Sequence, residues 1–201
     1  MLDEIHRLSG DELDHAAYHS DFARQVEGLR GVIWKLERSQ TFREVDDPSW
    51  EAFRSGDWQR SLDLLEQDRE AVRTEARHNK RQGLQVKRVR VVEYPLTSYL
   101  QWELYALRML AEEGFELSVL PAAELASLET RRQLPEVVVI GRRVLYEVRY
   151  LPDWTPAGAK RLGGDYVIST AAAEISRLFQ KGESLLDFFE REVAPLPAPA
   201  V

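Results

Sequence analysis

The chain has 201 residues, 44% of them hydrophobic and 30% charged, with a formal net charge of −7. That length buries a substantial core without staples, and the acidic balance excludes a generic, whole-surface nucleic-acid binder while leaving room for a local basic groove. There is no cysteine, which removes disulfides, thiolate metal ligands and cysteine nucleophiles in one step.

The N-terminal stretch MLDEIHRLSGDELDH is acidic and polar, unlike a secretory signal, and no apolar run approaches the roughly 20 residues of a membrane helix. A cytoplasmic protein without membrane contact is the simplest expectation. Residues 11–28 read as a helix capped by Asp11, with Leu13, Ala16, Phe22, Val26 and Leu29 as an irregular apolar stripe. Residues 32–37 alternate as a strand, with Val32, Trp34 and Leu36 on one face and Ile33, Lys35 and Glu37 on the other. Residues 46–48 break this pattern and 49–54 form a short helical turn ending at Gly56. A single long helix is predicted over 57–82, capped by Asp57 and closed by Gly83. Its many charges read as a solvated face.

Residues 86–92 are the clearest strand. Thr97 caps the next helix, in which Leu100, Leu104, Leu107 and Ala111 recur at helical spacing until Gly114. With a second strand over 115–120 this makes a β-α-β unit, whose expected geometry is a parallel pair. Residues 137–140 and 144–150 form a hairpin turning at Gly141 and Arg142. Residues 153–164 read as a Pro- and Gly-rich loop, Ser169 or Thr170 as the cap of a helix through Phe179, and 184–193 as a last helix. The tail PLPAPAV is expected to be disordered. The predicted class is α/β (α+β): a mixed sheet with a β-α-β unit and a hairpin, flanked by helices, with an N-terminal helical extension. Residues 1–58 are expected to pack on a core formed by 59–194, with 195–201 as the tail.

Side chains alternate along a strand, so Arg88 and Arg90 share one face. Two neighbouring guanidinium groups call for a carboxylate or a bound anion between them. Tyr99 and Glu103, four apart in the first turns of the following helix, stack on one face near the carboxyl end of that strand, where open α/β sheets place ligands. Glu37, Gln40 and Arg149 are polar residues on or just after otherwise apolar strands and are candidates to complete the cluster. The charged members of this set have an equally simple reading as salt bridges or solvated charges. Trp50, Phe53 and Trp58 form an aromatic knot that reads first as core and second as a cage for a cation or base. Lys80–Arg90 and Arg142–Arg143 are two short basic patches. No Gly-rich phosphate loop or nucleophile elbow is present. His15 and His19 supply two metal ligands at most, too few for zinc, so neither a metal nor a cofactor is expected.

The blocks WKLERSQTF, DPSWEAFRSGDW, VKRVRVVEYPLTSYLQWEL and LYEVRY, spread over most of the chain, together resemble an actinobacterial domain-of-unknown-function family. Its members are small soluble proteins, often encoded near XRE-type helix-turn-helix regulators or in specialised-metabolite neighbourhoods, and the resemblance carries over no catalytic residue. The order strand, helix, strand, hairpin, helix is also similar to half of a phospholipase D-like fold. Active members of that superfamily carry a histidine and a lysine on a strand; here no histidine follows His78, so the resemblance implies a degenerate site. Two functions fit. One is a non-catalytic binding or regulatory module that recognises an anionic small ligand or a protein partner through an Arg/Glu/Tyr cluster of Arg88, Arg90, Tyr99 and Glu103, with Glu37, Gln40 and Arg149 as further ligand-binding candidates. The other is a metal-independent transferase using an activated acyl or aminoacyl-tRNA donor, with Glu103 as base and Tyr99 orienting the nucleophile. A homodimer is compatible with either.

Overall fold

The structure, a computed structural model, describes residues 1–200. Residue 201, the last of the proline-rich tail, lies outside the described residues. A 3-10 turn at Leu2–Arg7 precedes β1 (Asp11–Asp14), α1 (His15–Val26) and β2 (Gly31–Glu37). Three helices follow, α2 (Pro48–Arg54), α3 (Trp58–Gln67) and α4 (Arg69–Gln82), then β3 (Leu84–Val92), α5 (Ser98–Glu112) and β4 (Glu116–Pro121). After a 3-10 turn at Ala122–Leu125 come β5 (Val137–Ile140), β6 (Val144–Tyr150), β7 (Pro156–Leu162), α6 (Asp165–Lys181), the short β8 (Glu183–Ser184), α7 (Leu185–Phe188) and a π turn at Phe189–Val193.

All eight strands join one mixed sheet in the order β1-β7-β6-β5-β2-β3-β4-β8. β2, β3 and β4 run parallel, and every other pairing is antiparallel. The α/β class, the β-α-β unit and the hairpin are therefore as predicted.

Local chemistry explains most element ends. Asp47 accepts from the Trp50 amide with Pro48 at the first helical position, Asp57 accepts from Arg60, and Thr97 accepts from Leu100. Gly83 closes α4 in the left-handed region at φ 71.

Four boundaries differ from the sequence reading. Residues 11–14 are a strand, and Asp14, not Asp11, caps α1 by accepting from Ala17. Acidic β1 adds to the sheet edge because Gly158 of β7, at φ 133, has no Cβ; one there would lie 2.0 Å from the Leu13 carbonyl oxygen. The long helix breaks at Asp68. The break lets α3 bury Ser61 and Leu65 while α4, with no buried residue, leads on to β3. Residues 156–162 are a strand within the expected loop: Pro156 takes its first position, where a missing N–H is tolerated, and its Gly content marks the close approach of β1. Finally, α6 starts at Asp165, without a side-chain cap, four residues before Ser169. Asp165 in its first turn complements the helix dipole.

One sheet face packs on α6 and the N-terminal turn through Leu2, Ile5, Leu36, Val89, Val91, Val137, Val139, Ile168, Ala171 and Ile175. The opposite face carries two separate apolar patches. Phe22 and Val26 of α1 cover Ile33, Val138, Ile140, Val144 and Tyr146. Leu100, Leu104 and Leu107 of α5, with Phe188 and Phe189, cover Val92, Leu117 and Val119. Burial of each large apolar side chain contributes about 1.5–3 kcal/mol, and these two patches fix α1 and α5 on either side of a strip that is not apolar.

Candidate functional site

That strip consists of Lys35 and Glu37 on β2 and Arg88 and Arg90 on β3. The parallel register sets Lys35 opposite Arg88 and Glu37 opposite Arg90. Strict alternation aims all four at the face shared with α1 and α5, so three cations and one carboxylate lie side by side at the centre of the sheet.

Arg90 is fully buried and closed in by protein. Its Nε and Nη2 reach Glu103 Oε2 at 2.8 and 2.7 Å, and Nη1 donates to the carbonyls of Ser39 (2.6 Å), Val91 (3.1 Å) and Glu37 (3.3 Å). Its guanidinium also lies over the Phe42 ring, 5.7 Å from the centroid. Burial pushes the Glu103 carboxyl up in spite of Arg90. The Tyr99 hydroxyl donates to Glu44 Oε1 at 2.6 Å, and burial, with Glu103 and Glu44 nearby, pushes its pKa far above the usual phenol range. Tyr99 and Trp102 belong to a buried aromatic cluster with Phe42, Trp50 and Phe53, and Trp102 donates to the hydroxyls of Ser49 and Ser61 at 3.0 and 3.1 Å. The aromatic knot is thus core, and it holds the first turns of α5 against α2 and α3.

Gln40 fastens the carboxyl ends of β2 and β3. It donates to the carbonyls of Arg38 (2.7 Å) and Val91 (3.0 Å) and accepts from the Glu93 amide (2.7 Å). Arg149 lies apart from Arg88 and Arg90, pairing with Glu147 at 2.9 Å and Glu12 at 3.5 Å. The structure therefore brings Glu37, Arg88, Arg90, Tyr99 and Glu103 together, uses Gln40 as a clamp, and leaves Arg149 towards β1.

Arg88 differs from Arg90. Its one ion pair is Nη1 to Glu37 Oε2 at 3.3 Å, and the rest of its guanidinium faces a cavity of about 340 Å³. Apolar groups make most of the wall: Phe22, Val26, Ile33, Val86, Leu110 and Phe115, with Glu75 and Asn79 of α4 towards solvent. A second cavity of about 560 Å³ lies towards the carboxyl end of β2, lined by Tyr18, Glu37, Glu44, Glu136 and Tyr150 and by His15 and His19 at its mouth. Neither is lined by Arg90, Tyr99 or Glu103.

Lys35 lines both cavities. Among the described residues its ammonium has no hydrogen-bond or ion-pair partner. Repulsion from Arg88, then burial, hold its pKa down to about 8 against the pull of Glu37, Glu75 and Glu103. Burial raises the Glu37 carboxyl, but Arg88, Lys35 and Arg90 outweigh that and bring it below its ordinary value. Glu136 is pushed up to about 7 by burial, although it accepts from the amides of Arg38 (3.0 Å) and Ser39 (2.7 Å).

Sequence reasoning passed over Lys35 and Glu136. The signal for Lys35 was present: a lysine between Trp34 and Leu36 on an interior strand, in phase with Glu37. Nothing local marks Glu136, whose partners are amides 97 and 98 residues away. Among the described residues no group of three or more His, Cys, Asp or Glu is placed to hold a metal ion, and no helix is long and apolar enough to cross a membrane.

The family described as "Domain of unknown function (DUF6879)" matches residues 20–190. The chain belongs to this family. The matched span of DUF6879 takes in all four strip residues, the wall of the first cavity, the second cavity's wall apart from His15, Tyr18 and His19, and the aromatic core of α2, α3 and α5. No curated protein and no solved structure matches the chain.

Proposed function

We propose that the protein is a binding module for a small anionic ligand, seated in the cleft between α1 and α5 with its charged group on Arg88 and Lys35 and an apolar portion against Phe22, Ile33, Val86 and Phe115. One observation carries this reading: Arg88, with a single ion pair to Glu37, and Lys35, with none, stand side by side at the wall of a mainly apolar cavity whose Glu75 lies towards solvent. Surplus charge facing a low-dielectric cavity is unfavourable unless an anion joins it, and the planar Arg88 fork suits a carboxylate or phosphate. A concave, largely apolar cavity with a few converging polar groups is the usual form of a small-molecule site. On this reading Arg90, Glu103, Tyr99 and Gln40 position the strip and do not touch the ligand.

The test is a thermal-shift and calorimetric screen of the protein against small carboxylates and phosphates with and without apolar tails. Binders should raise the melting temperature in a concentration-dependent way. Arg88→Ala should weaken their affinity by 10-fold or more, the usual scale for losing a charge-assisted hydrogen bond. Unchanged binding in a folded Arg88→Ala variant would remove the ligand from this cleft.

A further inference from the structure

The chain contains five lysines. Lys87 pairs with Glu116 at 2.9 Å, Lys160 with Glu147 at 2.8 Å, and Lys181 with Glu124 at 2.5 Å. Lys80 is exposed on the surface of α4. Lys35 alone combines a half-buried position, a cavity on either side and no acidic partner among the described residues. An ammonium kept simply for charge would gain from a carboxylate; this one is set opposite a guanidinium instead.

From this placement we infer that Lys35 is a carbonyl-capturing amine, and that the ligand is a 2-oxo acid with an apolar tail, its carboxylate on Arg88 and its keto carbon joined to Lys35 Nζ as an imine. The inference rests on the cleft being the ligand site and names the ligand's chemistry. Adjacent strands are about 4.8 Å apart, so neighbouring Lys35 and Arg88 present an amine and an anion-binding fork side by side, as a 2-oxo acid presents its carbonyl and carboxylate on adjacent carbons. The reaction needs no further reagent. The neutral amine adds to the carbonyl carbon, the C–O bond then breaks, and the carbonyl oxygen leaves as water with the two amine protons, leaving C=N; protonation of that nitrogen gives the iminium. Arg88 and burial also supply neutral amine: with a pKa of about 8, roughly a tenth of Lys35 is uncharged at pH 7, against well under a thousandth for an ordinary lysine at about 10.4. Placing a lysine beside another cation is a known route to an amine nucleophile.

The experiment uses the intact protein, 4-methyl-2-oxopentanoate as probe and sodium cyanoborohydride to reduce any imine, followed by intact-mass and peptide mass spectrometry. The matching 2-hydroxy acid is titrated by calorimetry in parallel. The expected result is one adduct per chain, on Lys35, formed about 10-fold or more faster than on Lys80, which serves as the internal reference without any variant. Arg88→Ala should reduce the Lys35 preference while Lys80 labelling stays the same. Labelling of Lys35 no faster than Lys80 overturns the inference. If the 2-hydroxy acid binds all the same, the cleft remains a ligand site and only the imine falls. If neither acid binds and Lys35 is not labelled, the imine and 2-oxo acid assignment both fall, and the cleft reading then rests on the wider anion screen.

Discussion

Replacing Lys35 by methionine should stabilise the protein. The substitution keeps an unbranched stem at the cavity wall that Ile33 also lines and removes an ammonium that the fold holds at an unfavourable place. In the folded protein the Lys35 pKa is brought down from 10.5 to about 8. At about 1.36 kcal/mol per pKa unit, the charged form costs the folded state about 3 kcal/mol at neutral pH as a ceiling. Water in the open cavities reduces this, so a gain of about 2 kcal/mol is expected, which corresponds to a rise in melting temperature of about 4–8 °C for a domain of this size. The sign of the pH dependence is fixed by the depressed pKa. Between about pH 8 and 10.5 the unfolded chain binds more protons at this site than the folded one, so wild-type stability rises with pH across that window. The advantage of Lys35→Met is therefore complete below pH 8 and fades towards pH 10.5. Urea denaturation of both proteins at pH 7, 9 and 10.5 measures it. A variant that is less stable than wild type at pH 7, or whose advantage does not shrink as pH rises, would refute the claim that Lys35 is an unpartnered, disfavoured cation.

Three further outcomes follow from the same geometry. Glu103→Ala leaves the fully buried Arg90 without its carboxylate and should cost about 3–5 kcal/mol, whereas the double change Arg90→Met with Glu103→Leu should recover at least half of that loss in denaturant melts. For Glu136, raised from 4.5 to about 7, the folded state holds its proton more tightly than the unfolded state, so stability falls as pH rises between those values; Glu136→Gln, whatever its constant offset from altered amide contacts, should gain about 1–3 kcal/mol relative to wild type between pH 4.5 and 7.5 in pH-dependent melts. At Gly158 an added methyl would lie 2.0 Å from the Leu13 carbonyl oxygen at a φ of 133, so Gly158→Ala should cost about 1–3 kcal/mol and speed hydrogen exchange of the β1 amides more than those of β3.

Periodicity made the centre of the fold legible. β3 and α5 announce themselves through alternation and helical spacing because each packs one regular side on a large apolar partner. The edges were hidden for the opposite reason. β1 reads DELD and β7 PAGAKRL, and neither is a good strand by composition; each forms because the neighbouring strand supplies a ladder and Gly158 permits the approach. The break at Asp68 was equally invisible, since aspartate is tolerated in helices and nothing local marks where the buried side of α3 gives way to the unburied α4. In the site, in-phase charges on β3 and the Tyr99–Glu103 spacing were readable, but which arginine would be closed in and which would face a cavity depended on Glu37 and Ser39 at the end of β2 and Glu103 on α5 meeting around Arg90.

The contrast between Arg88 and Arg90 carries the functional argument. Two residues apart on one strand, they share a face and a chemistry, yet four hydrogen bonds and an ion pair engage one and a single 3.3 Å ion pair occupies the other. A strip built only to hold the sheet together would close both. Replacing a buried ionic group with packed apolar side chains is often stabilising, so a cation left open beside Lys35, at the centre of the sheet and between two apolar patches, detracts from stability as the fold stands. The Arg90–Glu103 pair then makes physical sense as support. It is buried and closely paired, it fixes the end of β3 against α5, and it helps hold the strand that keeps Arg88 beside Lys35 at the cavity wall. The same arrangement predicts a division among variants: changes at Arg90 and Glu103 should appear first as lost stability, and changes at Lys35 and Arg88 first as lost ligand binding with the fold retained or strengthened.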